Sequence, residues 1–218
     1  MSESTATRST TDQVMDAARE RISELQRDYL PSGARDQPTA RAAGMMAALR
    51  RLEPSALTAE PKVWELTLGG LPPGLAGHGD QPSRAERAVH AGLVLYAVHQ
   101  QSRPEPMHVP GVSLGAAIRR LAKARSPKDE LDPATLRRFE QVIVSTTWER
   151  RLYHLRELMT LLRAHRLPLD HVRLTGDLFD LQLAVSVERV RLRWGRDLHR
   201  PGRSEDQTTS ASQDGDQP

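Results

Sequence analysis

From residue 112 to residue 200 the chain repeats one pattern, an apolar stripe at three- and four-residue spacing set opposite a stripe of arginines that few carboxylates balance. Such spacing commits a segment to amphipathic helix, because side chains three and four apart share one helix face but fall on both faces of a strand. Between its polar ends the chain shows no convincing strict alternation, so the predicted fold class is all-α.

Over 113–124, Leu114, Ala117, Ile118 and Leu121 form the inward stripe, while Arg119, Arg120, Lys123 and the small Ala116 face away. Arg119 and Lys123 are like charges one turn apart, which costs roughly 0.2 to 0.5 kcal/mol in an isolated helix. No acid on that segment relieves it.

Over 132–147 the predicted core positions are Leu136, Phe139 and Ile143, with Arg137, Arg138, Gln141 and Ser145 outward. Over 187–199 they are Val187, Val190, Trp194 and Leu198, with Arg189, Arg193 and Arg196 on the far side. A helix over 149–165 has Leu152, Leu155, Met159 and Leu162 inward, flanked by Arg156 and Arg163. Long arginine stems can lie over apolar surface, so these two are open between packing and phosphate contact.

Punctuation residues divide the chain. Helices are predicted over 12–28 and 39–52, and a third is opened by Ser83 and Glu86 in capping-box spacing, with 88–98 as its apolar body. Asp132 before Pro133, and Asp170 after the Pro168 turn, mark two further starts. Three prolines and a glycine within 103–111 suggest a linker.

The organisation expected is a disordered tail (1–11), an N-terminal helical domain (12–102), the linker (103–111), a C-terminal helical bundle with a basic face (112–200) and a disordered acidic tail (201–218). Net charge follows this division: −2 over 1–83, +8 over 84–200 and −3 over 201–218. Only three of the 31 basic residues are lysines, and guanidinium suits bidentate phosphate binding. From charge alone, an ordinary solvated face remains the competing reading.

Little in the sequence points to catalysis. There is no cysteine, no HExxH, no Gly-rich phosphate loop and no GxSxG, and neither a metal site nor a cofactor is expected. Asp170, Asp177 and Asp180 are the one tight carboxylate group, and Asp170 reads as a cap and Asp177 as a partner of Arg173. His78, His90, His99 and His108 lack metal-ligand spacing on one helix face, and the three tryptophans give no stacking platform.

The amino terminus carries no basic segment followed by an apolar run, and nowhere do about 18 apolar residues follow one another. A soluble cytoplasmic protein without a membrane partner is therefore expected.

Taken with their order, AGLVLYAVHQQ at 91–101, VSLGAAIRRLAKAR at 112–125, HLRELMTLLRAHRLPLDHVRLTGDL at 154–178 and WGRDLHR at 194–200 resemble the CasB family, the small subunit of the type I-E CRISPR surveillance complex Cascade. The resemblance covers roughly 84–200 well and the first 80 residues loosely.

It implies two small helical domains and two copies of the subunit per complex, in contact with the repeated backbone subunit and the large subunit. It also implies binding to guide RNA and target DNA without base specificity, which would help hold the R-loop open. On this resemblance the basic residues carry over to Arg119, Arg120, Lys123, Arg125, Arg137, Arg138 and Arg156, while Arg189, Arg193 and Arg196 rest on periodicity. A sequence-specific helical DNA-binding regulator and a purely protein-interacting bundle are the alternatives.

Overall fold

The computed structural model describes residues 9–33, 35–127 and 130–200. Among them run nine α-helices: α1 (Thr10–Tyr29), α2 (Ala40–Arg51), α3 (Trp64–Thr67), α4 (Arg84–Gln100), α5 (Leu114–Ala124), α6 (Pro133–Val144), α7 (Trp148–Ala164), α8 (His171–Asp180) and α9 (Ala184–His199). A 3-10 turn, Pro61–Val63, leads into α3. No strand occurs among the described residues, so the all-α class read from periodicity holds.

Side chains close the helix starts as their sequence predicts. Glu86 N–H donates to Ser83 Oγ at 3.0 Å and Ser83 N–H to Glu86 Oε2 at 2.6 Å, which completes the capping box. Asp132 accepts from Thr135 N–H at 2.9 Å, and Asp170 from Arg173 N–H at 2.9 Å. Each such cap is worth about 1 kcal/mol.

α4 is the centre of the molecule. Its run AGLVLYAV is apolar around the whole circumference, so no face of it suits water, and it is buried from Ala88 to Gln100. α8, α7, α2 and α1 pack around it. Gly92 faces Thr175 so closely that a β-carbon would overlap the threonine hydroxyl, which lets α4 and α8 approach nearly backbone to backbone.

One hydrophobic cluster runs from Val14 of α1 to Leu198 of α9. α1 packs on α8, and Thr11 of α1, within the segment read as tail, donates its hydroxyl to Asp180 Oδ1 at 2.8 Å. Residues 103–111, read as a linker, are tied down on both sides. Met107 is fully buried, Leu169 N–H donates to its carbonyl at 3.1 Å, and Gln26 exchanges hydrogen bonds of 3.2 Å with the His108 backbone.

Three histidines distant in sequence meet beside this crossing. His99 Nδ1 lies 2.9 Å from His171 Nε2, and His171 N–H donates to His108 Nδ1 at 3.1 Å. A single proton serves the first contact and none can sit on His108 Nδ1, so His108 is neutral and His99 and His171 cannot both be charged. Desolvation pushes His99 down to about 3 and depresses His171 and His108 as well. Among the described residues no group of three His, Cys, Asp or Glu side chains is arranged to hold a metal ion. No described helix is long and apolar enough to cross a membrane.

Candidate nucleic-acid interface

α5 lies between α9 and α6 and also touches α7. Leu114, Ala117, Ile118 and Leu121 are buried as predicted. Gly115 sets the α5–α9 spacing, because a β-carbon there would overlap the Trp194 carbonyl. The consequence for Arg119 is that it reaches α9: its Nη1 donates to Leu198 O at 3.3 Å and its Nε is buried without a partner.

Arg120, half-buried, and the exposed Lys123 make no hydrogen bond or ion pair among the described residues. Arg125 is engaged at the end of α5, with Nε 3.2 Å from Asp132 Oδ2. Asp132 is held down to about 2, chiefly by the hydrogen bond from the Thr135 hydroxyl, with Thr135 N–H and Arg125 adding to it.

α6 turns slightly differently from its predicted register. Thr135, Phe139 and Val142 are buried, while Leu136 and Ile143 pack at the edge and Val144 is exposed. Ser145, expected outward, is buried, because α6 stops at Val144 and the chain turns inward to meet α7. Arg137 is exposed and unpartnered among the described residues, and Arg138 is exposed with one 3.4 Å bond to Ala134 O of its own helix.

On α9, Val190, Trp194 and Leu198 are buried as predicted, joined by Ser186, and Val187 packs at the edge. Arg196 is exposed and unpartnered among the described residues. Arg189 is also exposed but lies 3.4 Å from Asp180 Oδ2 and 3.1 Å from Ser186 Oγ. Arg193 is bound to the buried Asp177, which also accepts from Trp194 Nε1 at 2.6 Å.

This corrects the expected Asp177–Arg173 pair: Asp177 faces α9, and Arg173 reaches Asp197 at 3.0 Å instead. Burial pushes the Asp177 carboxyl up, against the pull of Arg193 and Trp194.

Arg156 has a different task from the cations of α5 and α6. Its Nη1 and Nη2 donate to Leu52 O and Arg50 O, both at 2.7 Å, and close the carbonyl end of α2. Arg163 likewise reaches Val98 O and Gln101 at the end of α4.

The periodicity missed Arg151, buried at 6 % exposure, which donates through Nε to Val142 O at 3.3 Å and through Nη2 to Ser145 O at the end of α6. A signal was present, since residues 151, 155, 158 and 162 share the inward stripe of α7. Arg21 plays the same part on α1, donating to Leu66 O at 2.6 Å and to Gly69 O.

Of the predicted site residues, Arg120, Lys123, Arg137 and Arg196 are without partners among the described residues, as are Arg51, Arg84, Arg87 and Arg150 elsewhere, and the first four lie on three helices packed in the order α6, α5, α9. Fold and charge together define an all-helical protein with unpaired cations on three adjacent helices.

Comparison with known proteins identifies the family. The model of the CRISPR-associated protein Cse2 family matches residues 45–199. CasB from Thermobifida fusca, a solved structure, shares 34% identity over 86% of this chain and 98% of its own, with a TM-score of 0.68. A Cse2-family CRISPR-associated protein from Thermus thermophilus shares the fold at 18% identity, over 88% of this chain and 98% of its own, with a TM-score of 0.58. No curated protein matches. The chain belongs to the Cse2 family of CRISPR-associated proteins.

Proposed function

We propose that the chain is a noncatalytic small subunit of a type I-E CRISPR surveillance complex, which grips nucleic-acid backbone without sequence specificity and stabilises the pairing of guide RNA with target DNA in an R-loop. The observation that carries this reading is the set of unpartnered cations on α5, α6 and α9, beside other arginines wholly engaged within the fold. Cations spread over three helices suit a phosphate track, whereas base reading concentrates contacts on one inserted helix.

In this reading Arg120, Lys123, Arg137, Arg138 and Arg196 hold phosphate directly. Arg119, Arg125 and Arg189 assist from the edge, each with one side already bound to protein. Arg156 and Arg193 hold helices in place. The partners are the backbone and large subunits, a second copy of the chain, guide RNA and target DNA. Because exchange of duplex for heteroduplex is nearly balanced in free energy, a few added phosphate contacts can tip it.

The test is an assembled complex carrying Arg120→Glu, Lys123→Glu and Arg137→Glu. Target binding should fall at least roughly tenfold at low salt, and the slope of log affinity against log salt should flatten by about 0.9 for each lost contact to duplex. An R-loop of unchanged lifetime with all subunits present would sink the reading. A strong preference for one DNA sequence at fixed salt would favour a regulator instead.

A further inference from the structure

The ends of α2, α4 and α7 supply three guanidiniums to one region away from α5, α6 and α9. Arg156 seats the end of α2 on α7 by donating to Arg50 O at 2.7 Å. Arg163 stands two turns further along the same face of α7, a rise of about 10 Å, and donates through Nη1 to Val98 O at 3.5 Å and to the Gln101 side chain. After Gln101 the chain takes a left-handed turn at Ser102, with φ 55°, which returns Arg103 N–H to Gln100 O at 3.1 Å. Arg50, Arg103 and Arg163 are each half-buried.

Their charges act on one another. Arg163 is held below its ordinary value by burial first and then by Arg103 and Arg50, and no carboxylate opposes them. Arg163 and Arg103 also add to the depression of His99 on the core side.

The region is short of acceptors. The side chains of Arg50 and Arg103 make no hydrogen bond or ion pair among the described residues, and Arg50 Nη1 and Arg103 Nε are buried without a partner. A buried charged donor left without an acceptor costs more than an ordinary hydrogen bond contributes. The helix-end carbonyls are already engaged: Arg50 O and Leu52 O by Arg156, Val98 O by Arg163, and Arg163 O by Arg166 N–H at 3.1 Å. Glu105, two residues beyond Arg103, lies 3.8 Å from Arg166 Nε.

We propose that Arg50, Arg103 and Arg163 form a second phosphate-binding site, independent of the cations on α5, α6 and α9. Three guanidiniums brought from three elements suit a tetrahedral oxyanion, which accepts in several directions, whereas a planar carboxylate is filled by one bidentate arginine. A phosphate there gives Arg50 and Arg103 the acceptors the fold withholds and offsets the repulsion at Arg163. The remaining nitrogens of Arg50 and Arg103 reach solvent, so an anion can meet them.

Guanidinium NMR of the full chain reads the site directly. Inorganic phosphate should move the Nε–H signals of Arg50, Arg103 and Arg163 saturably, half-complete at about 1 mM or below. The signal of Arg27, an exposed arginine of α1 paired with Asp28, should stay put. Oligo-dT separates the two sources of the group. Movement of the same three signals by oligo-dT assigns the site to nucleic-acid backbone, movement by inorganic phosphate alone assigns it to free phosphate, and either supports the proposal. No movement with either probe overturns it and leaves the reading of α5, α6 and α9 standing.

Stability gives a second readout. At matched ionic strength, exchange of chloride for about 20 mM phosphate should raise the wild-type thermal midpoint by about 5 °C. A chain carrying Arg50→Gln and Arg103→Gln should lose most of that rise. Its midpoint in chloride should equal or exceed that of the wild type, because like charges are removed and no hydrogen bond goes with them. An equal rise in both chains is a general effect of the salt and overturns the proposal. A variant midpoint in chloride several degrees below the wild type overturns it too, since the two arginines would then be props of the fold.

Discussion

The arginines at the helix junctions and the arginines along α5 and α6 are one side chain put to opposite uses. Arg151 and Arg156 end on carbonyls at the finishing turns of α6 and α2, where the last turn of a helix leaves acceptors unsatisfied and partially negative. Arg120 and Arg137 meet no protein acceptor among the described residues. The lesson is that a net charge summed over a segment overstates what is offered to a partner, because some of the cations are consumed by the fold.

The contrast breaks most visibly at Arg151. Arg151→Ala should cost about 3 kcal/mol, since hydrogen bonds from a charged donor are lost and buried carbonyls are left bare. Arg156→Ala should cost about 2 kcal/mol on the same grounds. Urea midpoints measure both. Should Arg156→Ala weaken oligonucleotide binding while its midpoint stays put, that residue belongs with the outward set.

Gly115→Ala comes next. Overpacking of the α5–α9 contact should cost about 2 kcal/mol and loosen the Arg119 bond to Leu198, which sharpens the contrast by freeing a cation. A thermal scan alongside an affinity measurement separates the two effects: lower stability with unchanged or slightly tighter binding is the expected pair.

Acid should erode the buried crossing and spare the cationic side. His99 and His90 are held at about 3 and about 4 by desolvation, well below the 6.5 of a free histidine. The unfolded chain therefore binds more protons than the folded one between about pH 4 and 6.5, and stability falls as the pH drops through that window. The slope approaches about 1.4 kcal/mol per pH unit for each such histidine. A urea midpoint that stays level from pH 7 to pH 5 would contradict the buried, neutral cluster.

The smallest change in stability belongs to Arg120→Glu, Lys123→Glu and Arg137→Glu together. Surface changes of this kind shift stability by about 0.5 kcal/mol or less, so the midpoint should hardly move while phosphate affinity drops. A large fall in the midpoint would place these residues with the junction arginines and dissolve the distinction.

Much of the architecture was legible in the residues themselves. Ser83 with Glu86, Asp132 before Pro133 and Asp170 after Pro168 closed their helices as their spacing predicts, because a cap needs only neighbours within four residues. The inward stripes of α5 and α9 were readable for the same reason. α6 was read one position off at both ends of its stripe, since Leu136 and Thr135, or Ile143 and Val142, differ by a rotation that only packing against α7 fixes.

Local periodicity, capping chemistry and the uneven distribution of charge thus determined the helices and marked one half of the chain as cationic. They act over a turn or two, so one strand of sequence carries them entire. Which cations remain outward, that Asp177 answers Arg193 on another helix, and that His99, His108 and His171 share one buried contact were decided by the tertiary structure. A guanidinium has no preference between a carbonyl and solvent until a second helix end is brought within reach, and that meeting is a property of the packed core.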